Sequence, residues 1–259
     1  MPWLHEMRWP EVKEYLEERN IILLPIGSTE QHGRHGPLGT DSFVAIQLAE
    51  DASKEADVIS APPLFFGWSP HHMILPGTIS IEPSVLISFL FEEIRSLSVH
   101  GFKNFVVING HRITNLPWMQ IAAQKAQSEL GVRVVIFDPA YMSKEIASEL
   151  GFGPIGHAEE AEISQMLYIR PDLVKLDEAV DSVGDRMHIR LLYHVDPRAT
   201  EDTLVYVPST LSQMEKVVEE TGGNTGKPSK ARVGLGQRLH EHLLKRLLEV
   251  IKEMERGVG

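Results

Sequence analysis

The sequence predicts an α/β fold in which helices cover both faces of a mainly parallel sheet. Short apolar runs of strand length alternate with longer stretches of helical spacing along the chain. The runs read as buried strands, and βαβ-like alternation favours parallel pairing. Loops rich in glycine, histidine and carboxylates follow two of those strands, where ligands gather in open α/β sheets.

Taken in order, Trp9-Pro10-Glu11-Val12 opens a helix to about Glu18, with Pro10 in its first turn. Arg19-Asn20 turns the chain into a strand from Ile21 to Ile26, which ends at Gly27. Ser42 to Lys54 has helical spacing, with Phe43, Ile46, Gln47 and Ala49 near one face. Val58 to Ala61 is a short strand stopped by Pro62-Pro63, and Leu64 to Ser80 is a long loop of the kind that often carries function. A helix from Glu82-Pro83-Ser84 to about Leu97 places Leu86, Phe89, Leu90, Glu93 and Leu97 on a core stripe, and His100-Gly101 ends it. Phe105 to Ile108 is a buried strand delivering Asn109-Gly110-His111. Asn115 to Leu130 is a helix, Val132 to Phe137 a strand, and Gly156 opens a segment that becomes helical and reaches Ile169. Met187 to Tyr193 reads as helix or strand, Thr203 to Val207 as a late strand, and Ser229 to Met254 as a long amphipathic helix. Without repeats, linker or composition break, one domain over 1–259 is expected.

Composition narrows the function. The 36 acidic against 25 basic residues give a net charge of −11, which disfavours nucleic acid and anionic membranes as partners. The absence of cysteine excludes disulfides, thiolate metal sites and a cysteine nucleophile, and it fits a cytoplasmic protein. Neither a signal peptide nor a membrane-length apolar run is visible. A small molecule is therefore the expected partner.

The stretch from Leu23 to Asp41 carries the chemistry. It leaves a strand and presents Glu30, His32, His35 and Asp41 among glycines. Glu30 and His32 alternate by two, so an extended backbone points both the same way. His111 arrives from another strand's carboxyl end. Carboxylates and imidazoles without thiolates suit zinc, manganese or iron(II). Glu162 lies among apolar neighbours and needs a partner, for which a metal would serve.

These segments resemble the creatininase (creatinine amidohydrolase) family. The resemblance rests on Leu24 to Gly33 continuing to Leu38-Gly39-Thr40-Asp41, on Pro76-Gly77-Thr78, Asn109-Gly110-His111 and His157-Ala158-Glu159-Glu160-Ala161-Glu162, and on Gly226 to Ala231. It implies a three-layer α/β fold with two divalent metal ions, and a hexamer or similar homo-oligomer. It places Glu30, His32, Asp41 and His111 on the metals with Asp41 as the bridge, and expects a further glutamate, Glu162 first and Glu160 second. It also implies hydrolysis, in which a metal-activated water attacks and an acid protonates the leaving group. His157 is the first candidate for that acid, with His71, His72 or Glu160 as alternatives. Trp68, Ser69, His71, His72 and Thr78 in the long loop are candidate substrate contacts.

The chain departs from the family where members usually read Asn-Gly-His-Gly-Gly-Asn, since Arg112-Ile113-Thr114-Asn115 follows His111. Creatinine-cleaving members carry a glutamate at the position of Ile113. Arg112 is a fixed cation suited to a carboxylate, phosphate or enolate oxygen. The leading expectation is C–N hydrolysis of a cyclic amide or formamide. The alternatives are hydrolytic C–C opening of a cyclic diketone such as an oxidised inositol, and a catalytically silent metal-binding oligomer.

Overall fold

The computed structural model describes residues 3–153, 156–182 and 210–256. Four parallel strands form the sheet in the order β2-β1-β3-β4, with β1 Ile21–Ile26, β2 Ile59–Ser60, β3 Asn104–Asn109 and β4 Arg133–Phe137. Alternation along the strands divides the core in two. Ile22, Leu24, Ile26, Phe105 and Val107 face α3 (Pro83–Val99) and α4 (Leu116–Leu130). Ile21, Leu23, Val106 and Ile108 face α2 (Thr40–Ala56) and α9 (Val233–Glu255). The result is the expected three-layer arrangement, with β1 buried along its whole length.

A proline inside a central strand normally costs a ladder hydrogen bond. Pro25 escapes that cost. Its carbonyl accepts from Leu64, on the β2 side, so its missing N–H also faces β2, which has already stopped at Ser60 before Pro62-Pro63.

The remaining described helices are α1 (Trp9–Glu18), the short α5 (Pro139–Met142) and α6 (Lys144–Glu149), α7 (Glu160–Ile169) and α8 (Leu211–Thr221). Helix α8 is absent from the sequence expectation, although Thr210 and Gln213 form a capping box and Gly222 closes the helix at φ 81°. The predicted long loop contains a 3-10 turn at Pro70–Ile74. The predicted elements at 187–193 and 203–207 lie outside the described residues. Among the described residues no helix is long and apolar enough to cross a membrane.

Candidate metal centre

The register Ile26↔Asn109 sets the carboxyl ends of β1 and β3 side by side, so the Glu30 loop and His111 emerge at one edge. Helix α2 begins at Thr40 and packs its first turn onto both strand ends. Close approach requires glycine there: a Cβ on Gly110 would lie 1.9 Å from the Asp41 carbonyl oxygen, and one on Gly27 would lie 2.4 Å from Ser42 backbone. Asp41 is thereby pressed against the strand that carries His111.

Two groups of ligand atoms result. Glu30, Asp41 and His111 form one, and His32, Asp41 and Glu162 the other, with the atoms of each within 4.8 Å of one another. Asp41 belongs to both. His111 Nε2 lies 3.2 Å from Glu30 Oε2, and its Nδ1 lies 3.0 Å from Asp41 Oδ2. His32 Nε2 lies 3.3 Å from Asp41 Oδ1 and 3.8 Å from Glu162 Oε2. The other His32 nitrogen, Nδ1, donates to the Glu30 carbonyl at 3.0 Å, which turns Nε2 inward.

These residues fit divalent cations. Glu30 Oε1, His32 Nε2 and Asp41 Oδ2 are buried without a hydrogen bond, and buried polar atoms rarely stay unpaired. They face neighbouring donors at ion-pair range without hydrogen-bond geometry, as ligands of a shared ion do. Hard carboxylate oxygens mixed with imidazole suit zinc, manganese or iron.

Without an ion, the imidazoles balance the carboxylates. Burial opposes charge on His32, yet Asp41, Glu162 and Glu30 push its pKa up to about 10. Burial also opposes charge on His111, and Glu30 and Asp41 push it up to about 9. Asp41 is held well below the carboxylate range, its burial outweighed by His111 and His32. Burial pushes Glu30 up to about 7, with Asp41 adding and both imidazoles opposing.

His157 stands at the rim of this cluster. Its Nε2 donates to the Gln31 carbonyl at 2.5 Å, leaving Nδ1 as a lone pair 3.6 Å from Glu30 Oε1. Glu30, His32 and His157 form a third group of converging ligand atoms. His72 Nδ1 accepts from the Gln31 side-chain amide at 2.8 Å, so its Nε2–H faces Glu30 Oε1 at 3.4 Å. The rings of His71, His72, His157 and His32 follow one another at centroid distances of 4.0, 4.0 and 4.5 Å. Burial holds His72 and His157 well below the usual imidazole range and, with charge on His111 adding, pushes His71 down to about 4. The outer rings of the column are neutral.

The other predicted residues fall in different surroundings. Glu160 points at backbone, accepting from Gly153 at 3.0 Å and Lys227 at 2.8 Å. Ser69 is fully buried, its hydroxyl 2.8 Å from Ser28 Oγ and 3.4 Å from His111 Nε2. Thr78 accepts from the Gln31 N–H, and half-buried Trp68 packs on the α3–α4 core. Arg112 is buried, with Nη2 at 2.5 Å from Glu162 and 3.1 Å from Glu159. His35 is buried and donates to the Ala158 carbonyl, tying the first loop to the segment before α7.

Sequence reasoning passed over Gln31, Glu159 and Asn115. Gln31 fixes both His72 and His157, Glu159 caps α7 while meeting Arg112, and Asn115 links the Gly27 carbonyl to Trp68 and Trp118. Gln31 is flanked by the candidate ligands Glu30 and His32, and that adjacency is its available signal.

The family model described as creatinine amidohydrolase matches residues 5–251. The chain belongs to the creatininase family. A Thermotoga maritima relative named 3-dehydro-scyllo-inosose hydrolase is 29% identical over 188 residues, covering 70% of this chain and 60% of that protein. The matched part of this chain thus spans less than two thirds of that relative's length. Creatinine amidohydrolase from Pseudomonas putida is 27% identical, with 84% and 88% covered. The mycofactocin precursor peptide peptidase of Mycolicibacterium smegmatis is 35% identical, with 62% of each chain covered. The solved structure described as "Creatininase Mn" superposes with a TM-score of 0.78 at 24% identity, covering 98% of both chains, and it supports the creatininase fold.

Proposed function

We propose that this creatininase-family chain is a two-metal hydrolase that cleaves a C–N bond in a small polar cyclic amide or formamide. The observation that carries the reading is the pair of ligand groups sharing buried Asp41. Two divalent cations held by Glu30, Asp41 and His111 and by His32, Asp41 and Glu162 would polarise a carbonyl and lower the pKa of a water. The creatininase-family neighbour described with manganese and the relative named creatinine amidohydrolase support both parts.

The chain's own residues supply proton handling. His157 is neutral, fixed by the Gln31 carbonyl, and presents Nδ1 toward Glu30. That lone pair can accept a proton from the attacking water and return it to the leaving nitrogen, the acid–base task suited to imidazole. Gln31 keeps the histidine pair in these tautomers, and the imidazole column covers one side against bulk water.

A second reading is hydrolytic C–C opening of a cyclic diketone. It is favoured by Ile113, which stands where the family resemblance places a glutamate in creatinine-cleaving members, and by the relative named for an inosose. Incubating metal-loaded protein with cyclic amides, formamides and cyclic diketones separates them. Amine release supports C–N cleavage, and a new carboxylate without amine supports the C–C reading. Metal retention with no turnover on any of these would favour a silent metal-binding protein. We also propose self-association, because Val85, Phe89 and Phe66 are 57%, 50% and 40% exposed. Light scattering at the single-chain mass would refute it.

A further inference from the structure

The two ligand groups differ in what stands behind them. Glu30 is backed by neutral hydroxyl: Ser28 donates to its Oε2 at 3.2 Å, and Ser28 in turn meets Ser69. Glu162 is backed by a fixed cation. Its Oε2 accepts from Ala158 N–H at 2.7 Å and lies 3.8 Å from His32 Nε2, while its Oε1 lies 2.5 Å from Arg112 Nη2. The same guanidinium nitrogen meets Glu159 Oε1 at 3.1 Å. The Arg112 side chain is only 7% exposed, so water screens it little.

We propose that Arg112 is a positioning residue that makes the two cation positions unequal. It orients Glu162 by one oxygen and leaves the other for the ion. As a permanent positive charge beside that ligand, it also weakens the hold of His32, Asp41 and Glu162 relative to Glu30, Asp41 and His111. The second position is therefore the one that fills last and empties first. A carboxylate shared with a guanidinium has less charge to give a metal, and ligand-backing groups of this kind commonly set affinity. Glu159 moderates the effect by taking part of the guanidinium's attraction. The inference rests on the two-ion reading above.

The test is calorimetric titration of metal-stripped protein with Mn²⁺, with bound metal counted by elemental analysis. Wild type is expected to bind two ions in unequal steps, and Glu162→Gln to lose the weaker one. Arg112→Gln removes the charge but keeps a donor. It should tighten the weaker step by about tenfold or more and change the tighter step far less. Arg112→Lys keeps the charge and should retain the wild-type inequality. Glu159→Gln removes one carboxylate that competes with Glu162 for the guanidinium, so the weaker step should weaken further, which gives an independent arm if Arg112→Gln does not fold. The proposal is overturned if Arg112→Gln leaves the weaker step unchanged or weaker, or if Arg112→Lys behaves like Arg112→Gln. A wild type that holds only one ion overturns the two-ion reading, and the proposal with it. Two ions with no response to Arg112→Gln overturn the proposal alone.

Discussion

The two halves of the centre are built by different means. Glu30 and His111 come from the ends of adjacent strands, held by the register Ile26↔Asn109, and Asp41 is pressed on them through contact at Gly110. Glu162 sits in the first turn of α7, far along the chain, and depends on Arg112, Ala158 and Glu159 for its place. One half is part of the sheet edge. The other takes His32 and the shared Asp41 from that edge and only Glu162 from outside it. A site assembled in this way can keep its first position constant while its second is retuned by replacements around one helix.

The largest expected effect is at the shared residue. Asp41→Ala removes a ligand from both positions and should lower kcat by on the order of a thousandfold or more, with loss of both ions in elemental analysis. Full metal content and activity in that variant would sink the two-position reading. Glu162→Gln tests the halves separately: one ion should remain per chain, with activity lowered by about a hundredfold. Loss of both ions there would show that the sheet-edge half does not stand alone.

How much of this was legible before the structure follows from the same division. Glu30, His32, Asp41 and His111 are legible because strand ends announce themselves as apolar runs, and ligand-type residues follow directly. Glu162 stands out in sequence as a carboxylate among apolar neighbours and, through the family resemblance, as the first candidate for the further glutamate. Its guanidinium partner lies fifty positions earlier, on a loop, and no periodicity links the two. Arg112 reads in sequence equally as an anion anchor and as the partner of an acidic neighbour, and the fold gives it two internal carboxylates. Ser69 and Thr78 read in sequence as substrate contacts on a long loop, but the 64–80 segment folds back on β1, with bridges from Ile26 to Leu64 and from Thr29 to Ile79, and so buries both. The parallel sheet with helices on both faces followed from short buried runs between helices, whereas the strand order β2-β1-β3-β4 has no signal in those runs. Helix α8 did not follow either, because its signal lies in caps rather than in a long apolar stripe.

Protons give a finer test of both halves together. The raised pKa values, about 10 for His32 and about 9 for His111, make both imidazoles charged at pH 7 in metal-free protein. A histidine raised by folding stabilises fully below its unfolded value, about 6.5, and loses that contribution as pH rises through its folded value. Metal-free protein should therefore melt lower at pH 10 than at pH 7. Metal-loaded protein, whose imidazoles are neutral ligands, should be spared that loss. Asp41, held low, works in the opposite range: its contribution is present above about 3.8 and is lost on further acidification. Loading at pH 7 should release about two to three protons per chain, two from the imidazoles and the rest from Glu30, measurable by titration in buffers of different ionisation enthalpy. Release of none would mean that the imidazoles are not charged counter-ions in the metal-free state.

The smallest effects come from two residues with left-handed backbone, one in each half. Ile113 has φ 65° and Ala158 has φ 50°, conformations that cost a β-branched residue more than alanine and cost glycine little. The N–H of Ile113 goes to Asp138 Oδ2 at 2.8 Å, outside the proposed ligand groups, whereas the N–H of Ala158 goes to Glu162 Oε2 at 2.7 Å, within the second of them. Relief of strain at Ile113→Gly should thus stabilise the protein by about 1 kcal/mol, raising Tm by roughly 2–4 °C, and leave both metal steps as they were. Ala158→Gly relieves less strain and frees the segment that aims a hydrogen bond at the second position. Its stability should change by less than about 1 kcal/mol while the weaker metal step weakens a fewfold. Differential scanning calorimetry and the same Mn²⁺ titration read both outcomes. If the two variants moved metal affinity equally, the strain before α7 would have no part in aiming Glu162, and the contrast between the halves would rest on Arg112 alone.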